Sequence, residues 1–129
     1  MAVGQAPVFE ETLRAAERGD EAAQFNLGFM YDFGEGVPED DAEAMEWYRL
    51  AADQGDAGAQ NSLGYMYANG MGVPEDYVTA YAWWNIAAVS GDEDAIANRS
   101  RVEQQVTPSQ IAEAQQLSRE IFERIQGNQ

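Results

Sequence analysis

The sequence contains no cysteine, no histidine and no lysine. Without Cys or His there can be no disulfide framework, no thiol nucleophile, no imidazole base and none of the usual zinc ligand sets. The redox compartment therefore leaves no trace in the chain. Without Lys, the seven bases are all arginine, at Arg14, Arg18, Arg49, Arg99, Arg101, Arg119 and Arg124, and they face 23 acids for a net charge of −16. Such a surface repels phosphate backbones and anionic lipid, so nucleic acid and bare membrane are not expected as partners. Basic or neutral protein surfaces remain, and the acidity also serves solubility.

Long apolar runs are missing too. None approaches the roughly 18 residues of a membrane span, so no membrane insertion is expected. The start MAVGQAPVFEE has neither a basic n-region nor an apolar h-region. A soluble protein is expected, cytoplasmic, or periplasmic or secreted if a leader has been trimmed. At 129 residues the chain reads as one domain, long enough to bury about two-thirds of the surface its unfolded form exposes.

What the chain does have is a repeat. The stretch GEGVPED at Gly34 to Asp40 returns as GMGVPED at Gly70 to Asp76, a shift of 36. The same shift aligns Gly19, Gly55 and Gly91, then Asp20, Asp56 and Asp92, then Ala23, Ala59 and Ala95. It also pairs Leu27 with Leu63, Gly28 with Gly64, Tyr31 with Tyr67 and Trp47 with Trp83, and Ala51-Ala52 recurs as Ala87-Ala88. A period of this length marks stacked supersecondary units, none of which can bury its apolar face alone.

Within a unit the period is helical. Ala23, Leu27, Met30 and Tyr31 recur at three- and four-residue steps behind Asp20, a residue placed to N-cap. From about Asp40 to Gln54, Ala44, Trp47, Tyr48, Ala51 and Ala52 repeat the spacing, with Asp40 and Glu43 arranged as a capping box and Gly55 as a stop. Between the two lie Gly34, Gly36 and Pro38, which suit a tight turn followed by a delayed helix entry.

This pattern resembles the Sel1-like repeat, a longer-looped relative of the tetratricopeptide repeat. The resemblance rests on AAQFNLGFMYDFGEGVPEDDAEAMEWYRLAADQG at Ala22 to Gly55 and GAQNSLGYMYANGMGVPEDYVTAYAWWNIAAVSG at Gly58 to Gly91. Both match the family's A-x-x-x-L-G-x-x-Y, G-x-G-V and W-[YW]-x-x-A-A blocks in order. The resemblance implies an all-α fold, a right-handed α-solenoid of antiparallel helix pairs whose first helices line a concave face. Two full repeats are expected at 19–54 and 55–90, a capping helix at 8–18 and a capping helix pair at 91–126. In the latter, Arg99-Ser100 replace the Leu-Gly pair, Thr107-Pro108 supply an N-cap and N1 proline, and Ile111, Ala114, Ile121, Phe122 and Ile125 form an apolar stripe. Met1 to Pro7 and Gly127 to Gln129 are expected to fray.

No catalytic constellation is apparent. The acid runs at Glu39 to Glu43 and Asp92 to Asp94 fall at helix starts, where capping and the helix dipole favour acids, and neither has the spacing of a calcium loop. The G-x-G segments follow a helix and lack the lysine of a phosphate loop. No metal or cofactor is expected. One branch of the resembled family, disulfide-stapled, has penicillin binding and β-lactamase activity attributed to it; a chain without Cys inherits neither.

If the family's packing holds, the concave face presents Phe25, Phe29, Asp32 and Phe33 from the first unit and Asn61, Tyr65, Ala68 and Asn69 from the second, with Arg101, Gln104 and Gln105 extending the row. Phe25, Phe29 and Phe33 stack at intervals of four, either as groove or as core beneath the N-terminal helix. Tyr65 and Arg101 are residue types enriched at binding hot spots. Asn26, Ser62 and Asn98 lie in register beside the Leu position and suit either ligand backbone or helix-to-helix hydrogen bonds. The rings Trp47, Tyr48, Trp83 and Trp84 recur in register and so read as packing. The resemblance implies a non-catalytic adaptor that binds a partner's peptide or helix with basic or apolar anchors. The alternatives are an exported cell-envelope accessory or inhibitor module and, more distantly, a hydrolase.

Overall fold

The computed structural model describes residues 5–128. These form seven α-helices: α1 (Gln5–Glu17), α2 (Glu21–Phe33), α3 (Asp41–Asp53), α4 (Ala57–Asn69), α5 (Tyr77–Val89), α6 (Glu93–Val102) and α7 (Pro108–Gly127), with a short 3-10 turn at Glu103–Gln105. Helices α2 with α3, and α4 with α5, make the two most closely packed pairs, and α7 lies along α5. The result is an α-solenoid of stacked helix pairs. The expected frayed end is partly helix: Gln5 to Pro7 belong to α1, where proline is tolerated in a first turn, and Gly127 belongs to α7. Residues 1–4 and 129 lie outside the described part.

The junction between units is written by the recurring Gly-Asp pair. Gly19, Gly55 and Gly91 take φ of 95°, 101° and 84°, the left-handed conformation that favours glycine. At each, the glycine N–H donates to the second alanine of the Ala-Ala pair and the next N–H donates to the first: Gly55 to Ala52 at 3.0 Å and Asp56 to Ala51 at 3.1 Å, with the same pattern at 19–20 and 91–92. This is a Schellman stop. The aspartate that completes it then starts the next helix, its side chain accepting from Ala23, Ala59 and Ala95 N–H at 2.9, 2.8 and 2.9 Å. One dipeptide thus ends one helix and caps the next, each cap contributing about 1 kcal/mol.

The loop inside each unit is equally stereotyped. Gly34 and Gly70 end their helices at φ of 68° and 64°. Asp40 N–H then reaches back to Tyr31 O at 2.9 Å, and Asp76 N–H to Tyr67 O at 2.8 Å. That back-bond corrects the expected capping box: Asp40 does accept from Glu43 N–H, but its own N–H is spent on Tyr31, so Glu43 has nothing to return to. The complete box forms instead at Thr107 and Gln110. Gly72 also serves packing between units, since a Cβ there would stand 2.9 Å from the backbone carbonyl of Asp41.

The core explains the Leu-Gly pair. Leu27 and Leu63 are fully buried. Gly28 and Gly64 sit where an aromatic ring from the second helix lies against the first: a Cβ at Gly28 would meet Tyr48 Cδ1 at 2.6 Å, and one at Gly64 would meet Trp84 Cε2 at 2.6 Å. Trp83 is buried too, and Trp47 packs half-buried against the cluster of Ala16, Ala23 and Leu27. In α7, Ala114, Ile121 and Ile125 are buried and Ile111 packs partly, but Phe122 is 38% exposed. Phe122 follows Ile121 directly and so falls at the edge of the buried face, and Ser118 occupies the stripe, donating to Ala114 O. Arg99 turns to Asn85 Oδ1 at 3.0 Å, which places its charge at the edge of the cap.

One polar contact does not repeat. Gln24 and Gln60 are buried, and each donates to an alanine carbonyl of the preceding helix, Ala16 O at 3.2 Å and Ala52 O at 3.1 Å. Gln24 Oε1 accepts from Gln54 at 2.8 Å. The residue in register with Gln54 is Ser90, too short to reach, and Gln60 Oε1 is left buried without a partner. Replacing Ser90→Gln supplies the missing donor and is expected to stabilise the fold by about 1 kcal/mol, read from urea denaturation; an unchanged midpoint would contradict this account. Gly28→Ala is expected to destabilise by up to about 2 kcal/mol net, because ring overpacking of about 1–3 kcal/mol is set against the roughly 1 kcal/mol that alanine gains in a helix. A Gly28→Ala variant more stable than the native protein would show that Tyr48 can yield.

Candidate functional site

The expected groove residues fall into two adjoining depressions that share Tyr65. The first, about 440 Å³, is lined by Phe25, Phe29, Asp32 and Phe33 from α2, Glu39 from the loop, Tyr48 from α3, Asn61, Ser62 and Tyr65 from α4, and Met71. The second, about 200 Å³, gathers Tyr65, Ala68, Asn69, Tyr77, Trp84, Asn98, Arg101, Val102 and Gln105. Gln104 lines neither, and Asn26 lines a third depression beside Val8, Thr12 and Met30, which shares Phe29 with the first.

Each depression has one of the repeated rings in its floor. Both rings are buried against the glycines; Tyr48 Oη donates to Asp32 Oδ2 at 3.0 Å, whereas Trp84 Nε1 lies against Gly64 and donates to the backbone carbonyl of Asn61 at 3.2 Å. In Tyr48, packing and groove are therefore two sides of one ring.

The N-terminal helix does not cover the phenylalanine stripe. Phe9 and Leu13 of α1 pack instead against the cluster of Ala16, Ala23 and Leu27, Phe9 meeting Tyr31 edge-on at 5.9 Å. Phe25 is half-buried against Tyr48, with centroids 5.7 Å apart. Phe29 and Phe33 face outward, 40% and 61% exposed, their rings 4.6 Å apart, and Tyr65 is 53% exposed across from them. Of the three phenylalanines, Phe25 is the one tied to the core.

The two depressions differ in charge. In the first, burial pushes the Asp32 carboxyl above the usual carboxylate range, and Asp41 and Glu39 push the same way, against the lowering effect of the Tyr48 hydrogen bond. Burial, and then Asp32 itself, holds the Tyr48 hydroxyl above an ordinary phenol, so it remains a donor. In the second, Asn98 donates to Asn61 Oδ1 at 3.1 Å and Arg101 donates to Asn98 Oδ1 at 2.9 Å. Asn69 instead turns back to Tyr65 O. The row runs from aromatic and acidic, across Tyr65, to amide and guanidinium.

Ser62 and Asn98, which by register suit either ligand or helix-to-helix bonding, both line the depressions. Glu39, Met71 and Tyr77 line them as well, and no register argument points to these three. Met71 carries a different signal: in the repeated heptapeptide, the pair Glu35 and Met71 is the one position that differs. Met71 also packs against the main core, so its change from Glu35 serves packing as well as lining the depression.

Comparison with known proteins places this geometry among relatives. The Sel1 repeat family model matches residues 21–56 and 57–92. The chain is similar to a protective antigen present in uropathogenic Escherichia coli strains, whose crystal structure displays an SLR fold, with 34% identity over 97% of this chain and 30% of that one and a TM-score of 0.85. It is also similar to a Sel1 repeat protein from Oxalobacter formigenes, with 39% identity over 73% of this chain and 39% of that one and a TM-score of 0.69. The chain thus spans about a third of the length of these structures. No curated protein matches it.

An acid whose folded pKa is raised lowers stability above that pKa, and the penalty disappears as pH falls through the raised value to the unfolded one. Asp32→Asn keeps an acceptor for Tyr48 and removes the charge. It is expected to melt higher than the native protein at pH 7, with the difference shrinking as the pH approaches and passes below 3.8. A lower melting temperature at pH 7 would contradict the charge argument.

Proposed function

Because the chain belongs to the Sel1 repeat family, whose members are in general protein-interaction modules, we propose that it is a non-catalytic adaptor binding a partner's peptide or helix in this groove. The observation that carries this is the contrast between the two kinds of position. Most residues that recur at the 36-residue shift pack against the core or sit in caps and turns, whereas Phe29, Phe33, Tyr65 and Arg101, whose identities change between units, are exposed and border two adjoining depressions. Exposed aromatics beside arginine are the composition of binding hot spots. In this reading the whole chain acts as one domain, the pairs α2–α3 and α4–α5 holding the groove rigid while α1 and α6–α7 close its ends.

The expected ligand has apolar anchors and positive charge. A carboxylate-clamp mode, built in tetratricopeptide grooves from several Lys, Asn and Arg side chains, has no support where Phe25 and Phe29 stand. A second reading, an exported cell-envelope accessory or inhibitor module, draws on the similarity to the uropathogenic antigen; it would use the same groove, and fractionation of cells expressing the full gene distinguishes the two.

The groove is tested by affinity capture from the source organism with native protein and a Phe29→Ala/Tyr65→Ala/Arg101→Ala variant matched in helicity and melting temperature. The variant is expected to lose partners that the native protein retains. An identical captured set would overturn the assignment of this face.

A further inference from the structure

We propose that the depression between α2 and α4 takes the side chain of an arginine from the partner, its guanidinium on the Asp32 carboxylate and its stem and plane against Phe29, Phe33 and Tyr65. This rests on the groove being the binding face, and it names what the first depression reads.

The lining sets contradictory demands that few ligands meet. Phe29, Phe33 and Tyr65 offer apolar area, which alone would suit a leucine or phenylalanine. Asp32 and Glu39 border the same space, and among the described residues no basic one does. An apolar side chain seated there would strip water from a carboxylate and give it nothing in return, a costly exchange. A cation satisfies both: aromatic faces attract it through their quadrupoles, and the carboxylate pairs with it.

Asp32 is prepared for such a partner. Among the described residues its one hydrogen-bond donor is the neutral Tyr48 hydroxyl at 3.0 Å, which fixes the carboxylate without neutralising it. Among the described residues the one ion pair within 4.0 Å is Arg124 with Asp53, on another part of the molecule. Glu39 and Asp41 add negative potential beside it. Arginine fits better than lysine because its planar guanidinium can stack on a ring while pairing in a fork with a carboxylate, whereas an ammonium is a strongly hydrated point charge. The volume of about 440 Å³ lies in the range of roughly 300–1,000 Å³ typical of ligand sites. At the other end of the groove, Arg101 would repel the same side chain, so the charge asymmetry also orients the bound segment.

The test is a titration of the isotope-labelled protein with N-acetyl-arginine methylamide and its neutral isostere N-acetyl-citrulline methylamide, followed by amide chemical shifts in about 0.15 M salt, where the general field of the chain is screened beyond roughly 8 Å. Arginine is expected to perturb residues 25–33, 39 and 61–65, with citrulline at least about tenfold weaker. Asp32→Asn is expected to bring arginine down to the citrulline level. Glu113→Gln, which removes the same unit of charge from α7, is expected to leave binding unchanged. Equal binding of both probes, no binding of either, persistence of the preference in Asp32→Asn, or an equal loss in Glu113→Gln would each overturn the proposal. The groove reading stands or falls separately, on the capture comparison. Should Asp32→Asn misfold, the native protein answers instead. Asp32 is faced by Glu39 and Asp41 near the start of α3, Tyr48 of α3 and Tyr65 of α4, so arginine binding must weaken as the pH falls and these carboxyls protonate. A profile that is flat from pH 7 to about 3.5, below the unperturbed Asp value of about 3.9, would overturn it.

Discussion

The close approach of an aromatic ring to a glycine, Tyr48 on Gly28 and Trp84 on Gly64, is the contact on which the rest of the structure depends. It sets how near the two helices of a pair can come, because no side chain stands between ring and backbone. It is repeated at the 36-residue shift, so both pairs have the same internal spacing and can stack. The Gly-Asp junctions then carry one pair into the next with the same hydrogen bonds each time. Regularity of this kind makes a solenoid stiff.

One of the same rings connects the scaffold to the depression. Tyr48 is buried on the glycine side, and its hydroxyl donates to Asp32 on the other, whereas Trp84 Nε1 stays against Gly64 and donates to the backbone carbonyl of Asn61. Tyr48 thereby positions Asp32. Asp32 illustrates the cost: burial and neighbouring acids disfavour its charge in the folded protein.

The scaffold was largely legible in the sequence because its signals are local and repeated. Asp20, Asp56 and Asp92 announce helix starts, Gly55 a stop, and Thr107-Pro108 the last helix, each through chemistry within a few residues. What could not be read depended on three-dimensional competition. The Asp40 N–H had two possible acceptors, and the long-range Tyr31 carbonyl won over Glu43. Phe122 has the composition of the stripe but lies at its exposed edge. The glycine of the Leu-Gly pair recurs visibly, but the ring that requires it comes from 20 residues on. The position of α1 likewise follows from where Phe9 and Leu13 pack, which left Phe29 and Phe33 uncovered. The groove residues from α2 and α4 were legible as a row by register; their division into an acidic aromatic half and an amide-guanidinium half was not.

The most direct measurement is a double-mutant cycle on the second seam, with Gly64→Ala, Trp84→Leu and the double variant compared by urea denaturation. If the ring imposes the glycine, Gly64→Ala is destabilising while Trp84 is present and becomes neutral or stabilising once leucine replaces the indole, with a coupling of about 1–3 kcal/mol. Additive effects would show that Gly64 answers to something other than the ring, and the common origin of helix spacing and groove floor would be lost.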